Sequence, residues 1–346
     1  MKPTQKELTN WAITQIEKNY KDDVVLLLAM SEHAMENDCH GECYDYFIPV
    51  NDNGNNLACT FIIDGVGHDL YPRSWERIRN MVDFTDDFTS GLGEAKILYY
   101  RNEADREQFI AMQEKQKANM QDEAFMMKIA LEKLDMAMDI YRTMVFEDAL
   151  YKVRMAAGFI AHYLSVAVAC INGTYLKRAL DLETVELKKL KEIPDNFIPY
   201  YEGIVRAKSV EELKSLSYMI ISTTRKFIAK NKPIVKEELT TPDFRDLAGW
   251  YEEMSLTWRR FDFHSKAGDC DKTFNDAVNL QHELSIMKEE FGLREMDLLS
   301  YFDASNLKVF GERAKELEAY VISEIESHGF SLNTYDTLEQ FLAKNS

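Results

Sequence analysis

Residues able to do chemistry concentrate between Leu26 and Arg79. Three short stretches carry them: Ala29-Met30-Ser31-Glu32-His33, Glu42-Cys43-Tyr44-Asp45 and Gly67-His68-Asp69-Leu70. One reading is a soft-metal site. Cys39, His40 and Cys43, with His33 and His68 nearby, supply the thiols and imidazoles that suit Zn²⁺. The Cys39–Cys43 spacing is tolerable, but no second cysteine pair follows. A second reading is an anion site. Arg73 and Arg77 follow Asp69 at i, i+4 spacing and could face a triphosphate; alternatively they pair with Glu76 or Asp83 as surface charge. No nucleophile elbow, P-loop or dinucleotide glycine fingerprint is present.

These residues need elements to position them. Thr4 and Glu7 form a capping box that opens a helix ending near Tyr20–Asp23. Val24–Ala29 reads as a buried strand and Tyr44–Val50 as a second. The turn-rich run Asn51 to Asn56 leads to a third strand, Leu57–Ile63, so that Tyr44–Ile63 reads as a hairpin. Asp69–Tyr71 continues the sheet, Ser74–Met81 is a short helix, and Lys96–Tyr100 is a last strand.

The order strand, loop, strand, hairpin, strand, helix resembles the DNA polymerase beta-like nucleotidyltransferases, which include aminoglycoside- and lincosamide-modifying enzymes. That family places Gly-Ser after its first strand, Asp-x-Asp on the next, and a third aspartate in an Asp-Leu context on a neighbour. Here Ser31 falls at the serine, Cys43-Tyr44-Asp45 at Asp-x-Asp, and Asp69-Leu70 at the third acid. Leu92-Gly93-Glu94-Ala95-Lys96-Ile97-Leu98-Tyr99-Tyr100 is similar to the family's final strand. The resemblance spans roughly the first 110 residues. It implies Mg²⁺ held by Asp45 and Asp69, with both as catalytic residues, because hard cations prefer carboxylate oxygen. It implies Ser31, Arg73 and Arg77 on the phosphates of a nucleoside triphosphate substrate. The implied reaction moves a nucleoside monophosphate to a hydroxyl of a small acceptor. Two positions depart from the pattern. Met30 replaces the glycine, and Cys43, a soft ligand, replaces the first aspartate. The alternative is therefore a catalytically inactive nucleotide-sensing or protein-interaction member of the same fold.

After Glu103 the periodicity turns helical and stays so. The expected helices are Ala104–Met120, Glu123–Val145, Ala149–Ile171, Leu182–Leu190, Val210–Lys230, Pro242–Phe261, Lys272–Glu290, Asn306–Ser327 and Thr337–Lys344. Pro194, Pro199 and Pro233 punctuate loops. The fold class that follows is α+β: a small mixed-sheet domain over residues 1–115, then a large all-α helical-bundle region over 116–346. A subdivision is expected near 232–241. Arg154 and His162 are two turns apart on an apolar helix and can share a face. Trp258, Arg259, Arg260 and His264 form a second polar-aromatic group. The methionines around Met126–Met144 read as core filler.

Composition narrows the partners. The net charge of −18 over 346 residues argues against nucleic acid as a ligand. The first 115 residues hold 11 basic and 21 acidic side chains, so the acid is denser there and would suit a cationic acceptor such as an aminosugar. Met155–Ile171 is interrupted by His162 and preceded by Arg154, and it is shorter than a spanning helix needs, so no membrane partner is expected. Five scattered cysteines fit a reducing, cytoplasmic location. The oligomeric state is not set by any pattern in the chain.

Overall fold

The computed structural model describes residues 5–30, 44–86, 88–232 and 242–345. Ser31 and the zinc-type group Cys39, His40 and Cys43 lie outside the described residues. The architecture is α+β, a five-stranded mixed sheet followed by a long run of helices. The chain divides into two compact units, Met1–Ile234 and Val235–Ser346.

In the first unit, α1 (Gln5–Asn19) precedes β1 (Val24–Met30) and β2 (Tyr44–Pro49). A short 3₁₀ turn at Gly54–Leu57 leads to β3 (Cys59–Ile63) and β4 (Val66–Pro72). α2 (Trp75–Val82), α3 (Ser90–Gly93) and β5 (Ala95–Tyr100) complete the sheet region. The strand order is β3-β4-β2-β1-β5. β1 is an interior strand, between β2 and β5, and is buried on both faces, which is why Val24–Ala29 reads as an uninterrupted apolar run.

The hairpin lies elsewhere than the sequence suggests. β2 pairs β1 antiparallel and β4 in parallel, and β3 pairs β4. Asp64 and Gly65 both have positive φ, 50° and 78°, so they form the tight turn that joins β3 to β4. The asparagine-rich run is instead a clamp on Asp23. Asn51 and Asn53 each donate to its carboxylate at 2.7 Å, which holds that group below the ordinary carboxylate range.

The β1–β2 ladder contains a bulge. Leu28 faces Tyr46, but Ala29 faces Tyr44, so Asp45 is the extra residue. Alternation breaks there. Tyr44 and Phe47 pack on the α1 side with Leu27, whereas Tyr46 and Ile48 pack on the α2 side with Leu28 and Ile78. The bulge turns Asp45 to the α2 side as well.

α4 (Glu103–Gln121) crosses the sheet region and runs through residue 115, where the sequence suggested a boundary. Its amides tie down neighbouring loops. Gln113 donates to the Leu92 and Ala95 carbonyls, Gln116 to those of Met81 and Thr89, and Asn119 to that of Val82. A bundle follows: α5 (Glu123–Met144), α6 (Leu150–Ile171), α7 (Ala179–Leu187), α8 (Phe197–Arg206) and α9 (Val210–Lys230). Ile160, Leu164, Val168, Ile220 and Phe197 fill its core. α6 is long and apolar enough to cross a membrane, but half of its apolar window is buried inside this core. α8 has no counterpart among the helices expected from periodicity. Pro199 was expected to mark a loop, yet it is the third helical residue, where a missing N–H costs nothing.

The second unit packs α10 (Phe244–Ala267), α11 (Cys270–Phe291), α12 (Leu307–Ser327) and the short α13 (Leu338–Asn345). Its core centres on Phe261, Leu280, Phe310 and Leu317. Gly268 and Gly292 end α10 and α11 in the left-handed conformation.

Candidate functional site

The parallel pairing of β2 with β4 brings the two predicted acids to neighbouring strands. Tyr46 faces Tyr71 and Phe47 faces Pro72. The acids nevertheless meet different partners. Asp69 is exposed, lies opposite Thr60 on β3 and accepts its hydroxyl at 2.7 Å. Asp45 is buried at 8% exposure, and its carboxylate accepts from the Tyr71 hydroxyl at 3.1 and 3.2 Å. Tyr71 in turn accepts from Arg73 Nη2 at 3.0 Å. Asp45, Tyr71 and Arg73 thus form one relay from carboxylate to guanidinium.

Arg73 is enclosed. It is 5% exposed, and its guanidinium carbon lies 5.0, 5.1 and 4.7 Å from the ring centres of Tyr46, Tyr71 and Phe88. Such contacts stabilise a desolvated cation by roughly 2 kcal/mol. Its Nε and Nη1 have no hydrogen-bond partner among the described residues. Burial is also the largest cause of the raised pKa values of Tyr46 and Tyr71, with the Asp45 charge adding to both. Both phenols are therefore held neutral above the ordinary phenol range, and Tyr71 keeps the proton that it donates to Asp45.

Arg77 goes elsewhere. Arg73 precedes α2, whose N-cap is Ser74, so the two arginines do not share a helical face. Arg77 Nε meets Asp86 at 2.9 Å, and its side chain is about half exposed. The expected partners Glu76 and Asp83 are not the ones it takes. Asp45, Tyr71 and Arg73 are brought together; Asp69 and Arg77 are not part of that relay.

Mg²⁺ fits the described part of this edge poorly. Among the described residues, no group of three His, Cys, Asp or Glu side chains converges as a metal site. One of the two acids is bound to a phenol that itself holds a guanidinium, and a nearby cation opposes a second cation.

A cleft lies beside this edge, between the α2–α3 connection and the bundle. Its volume is about 450 Å³ with the solvent at its mouth included. Asp86, Thr89, Ser90, Lys133, His162 and Tyr175 present its polar groups, over an apolar floor that includes Phe84, Ile129 and Val166. The connection serves both places, because Phe88 caps Arg73 while Thr89 and Ser90 line the cleft. Gly91 permits this turn: a β-carbon there would stand 2.4 Å from the Phe88 ring, and its carbonyl accepts the Tyr46 hydroxyl at 2.8 Å.

His162 was singled out with Arg154, but the two separate. Arg154 donates to the Ala207 carbonyl at 2.8 Å. His162 Nδ1 lies 3.2 Å from Glu183 Oε2, which orients the ring. Glu183 is buried, and its Oε1 has no hydrogen-bond partner among the described residues. Tyr175 hydrogen-bonds Glu94 at 2.9 Å; burial foremost, then that carboxylate, raise its pKa. Lys133, Ser90, Tyr175 and Glu183 were not anticipated. They come from four separated segments, and no local spacing links them. In the second unit, Arg260 and His264 both grip Asp276, at 2.7 and 2.8 Å, while Trp258 is buried. That group ties α10 to α11.

No family model matches the sequence, and no curated protein matches it. Among solved structures, the chain is similar to a nucleotidyltransferase-like protein from Exiguobacterium sibiricum 255-15. The identity is 10%, the TM-score 0.37, and the match covers 65% of this chain and 76% of that one. A likeness at that score carries no conclusion about the site.

Proposed function

We propose that this protein is a non-catalytic, nucleotide-sensing member of the nucleotidyltransferase fold. The observation that carries the reading is the Asp45–Tyr71–Arg73 relay beneath Phe88. A metal-dependent transferase needs that carboxylate open to a cation; here it is buried and accepts from the phenol that holds a buried guanidinium. The parallel β2–β4 pair supports the choice of fold, since it sets Asp45 and Asp69 on adjacent strands as the sequence resemblance implies. The replacement of glycine by Met30 and of aspartate by Cys43 supports the loss of transfer.

The test is titration calorimetry with ATP, GTP, CTP and UTP, with and without Mg²⁺, followed by pyrophosphate release in the presence of aminosugar acceptors. Expected is nucleotide binding that Mg²⁺ does not tighten, with no pyrophosphate released. Mg²⁺-dependent release that Asp45→Asn and Asp69→Asn both abolish would establish the transferase instead. Absence of binding by all four nucleotides defeats the sensing reading.

A further inference from the structure

We propose that the outer edge of β3 pairs antiparallel with β3 of a second copy of this chain, joining the two sheets about a two-fold axis. The contact is independent of nucleotide binding and rests on the geometry of the β3–β4 hairpin.

The turn decides which backbone groups face outward. Asp64 and Gly65 both have positive φ, so this two-residue turn makes Ile63 and Val66 a hydrogen-bonded pair. Pair types alternate along the hairpin, and Phe61 and Cys59 therefore also bond inward, to His68 and Leu70. Thr60 and Ile62 occupy the alternate positions and aim their N–H and C=O groups away from β4. The Thr60 hydroxyl fits that assignment by reaching the Asp69 carboxylate at 2.7 Å, because side chains come closest in such pairs. β3 is the end strand of the sheet, and among the described residues no other backbone group bonds to Thr60 or Ile62.

This edge lacks the usual protection. Soluble proteins blunt strand edges with lysine, proline, a bulge or a covering element. The opposite edge, β5, contains Lys96, and Gln113 of α4 takes the Ala95 carbonyl. β3 reads Cys-Thr-Phe-Ile-Ile, with neither charge nor proline, and its register with β4 is unbroken. Ile62 is 75% exposed. The residue across from it is Gly67, where even a β-carbon would meet nothing, so Ile62 has no side chain beside it on β4. On the other face Trp11, exposed and edge-on to the Phe61 ring, extends the apolar surface.

Charge and register favour a second copy as the occupant. Two chains of net charge −18 repel, so they meet most readily where acid is absent, as it is along β3. The strand is also its own complement. In full antiparallel overlap, Thr60 faces Ile62 of the second copy, and Phe61 faces its own equivalent. Outward groups then meet outward groups, and each Thr60–Ile62 pair exchanges both of its hydrogen bonds. A slip of one residue would set Thr60 against Phe61, whose groups are already used within the hairpin. Asp64 falls beside Ala58 of the second copy and not beside another acid. Paired β-branched residues and paired aromatics are favourable cross-strand neighbours. An edge this short buries less than a standard interface, so the dimer forms as concentration rises.

The experiment is sedimentation equilibrium of the full-length protein from roughly 5 μM to 0.5 mM, a range that captures weak association. Amide exchange is read residue by residue at both ends of the range. The mass rises toward that of two chains. The Thr60 and Ile62 amides slow about threefold or more at high concentration, while those of Phe61 and Ile63, already bonded in the hairpin, change little. Ile62→Pro removes an outward donor and no hairpin bond, a position where proline is tolerated. Ile62→Lys keeps the donor and installs the missing edge charge. Each weakens association about tenfold or more, since the two-fold axis applies the loss twice. Retained protection of the Phe61 and Ile63 amides shows that the hairpin is intact; if proline disturbs it, Ile62→Lys decides. Three results overturn the proposal. One is a protein that stays monomeric up to about 0.5 mM. Another is a dimer whose Thr60 and Ile62 amides exchange at the monomer rate, which places the contact on another face. The last is association of the folded variants equal to that of the parent.

Discussion

The Tyr71 hydroxyl donates to the Asp45 carboxylate at 3.1 Å while accepting from Arg73 at 3.0 Å. The phenol therefore serves as the link between a buried anion and a buried cation. Removing it in Tyr71→Phe leaves Asp45 short of a donor and Arg73 short of an acceptor, at a cost of about 1–3 kcal/mol. Alkaline pH acts on the same link. Burial, with Asp45 second, raises the Tyr71 pKa, and burial raises that of Tyr46. The unfolded chain gives up these protons near pH 10, before the folded chain does. The unfolded state then binds fewer protons, so this contribution to stability is complete below about pH 10 and is lost as pH rises beyond it. Urea unfolding between pH 8 and 11.5 should show a steeper alkaline loss for the parent than for Tyr71→Phe. Parallel curves would remove Tyr71 from this account.

Asp45 and Asp69 should respond differently to the same change. Asp45→Asn strips the counter-charge from a guanidinium enclosed by three rings, and roughly 2–4 kcal/mol is expected, at the lower side of losses from buried ion pairs because the contact is bridged. Asp69→Asn, on an exposed hairpin, should cost less than about 1 kcal/mol. Thermal unfolding of both variants, with and without 5–10 mM Mg²⁺ (concentrations chosen as ordinary practice, roughly saturating for weak sites), separates the two views. The relay predicts unequal destabilisation and no Mg²⁺ effect. Equal, Mg²⁺-dependent losses would mark a shared metal site.

The two acids were legible in the sequence because strand signals are local. Val24–Ala29 and Tyr44–Val50 each read as strands from six or seven residues, and the structure places β1 and β2 there. Which strands pair was less legible. The Asn51–Asn56 run carries a strong turn signal, yet the hairpin forms at Asp64-Gly65, since Asp23 captures the asparagines. The bulge at Asp45 could not be read at all, because one unpaired residue leaves no mark on composition. That single residue decides which face Asp45 takes. Arg73 and Arg77 looked like a helical pair until Ser74 capped the helix between them. The cleft escaped notice for another reason: Ser90, Lys133, His162 and Glu183 meet only after α5, α6 and α7 have packed.

Phe88 should report on Gly91. An alanine at 91 places a β-carbon 2.4 Å from the Phe88 ring, so the ring must leave its place over Arg73. Gly91→Ala alone should cost about 1–3 kcal/mol, as overpacking does. In a Phe88→Ala background the obstruction is gone, and the same substitution should become nearly neutral. The coupling in this double-mutant cycle is thus expected to be roughly 1–3 kcal/mol in the relieving direction. Additive costs would show that the turn at Gly91 is limited by its backbone rather than by the ring.

Acid stability should depend on Glu147, which starts the most apolar helix of the bundle. The N-cap of α6 is Ala149, whose side chain cannot cap. Glu147 substitutes for it, accepting from the backbone N–H of Ala149 at 2.9 Å and of Asp148 at 3.0 Å, and from Lys152 Nζ at 2.8 Å. These bonds, led by Lys152, hold its pKa down at about 2. A depressed carboxylate stabilises the fold above its unfolded value, near 4.5, and that contribution is lost as pH falls through the folded value. Glu147→Gln keeps an acceptor but cannot ionise. The parent should therefore lose stability between pH 4.5 and 2, while the variant starts lower at neutral pH and shows a shallower decline over that window. Equilibrium unfolding by urea at half-unit pH steps (a spacing of about 0.5, fine enough to resolve one titration) measures the difference. Identical slopes for the two proteins would mean that the α6 start is held by packing of Val153 and Ala157 in the bundle core, and not by this carboxylate.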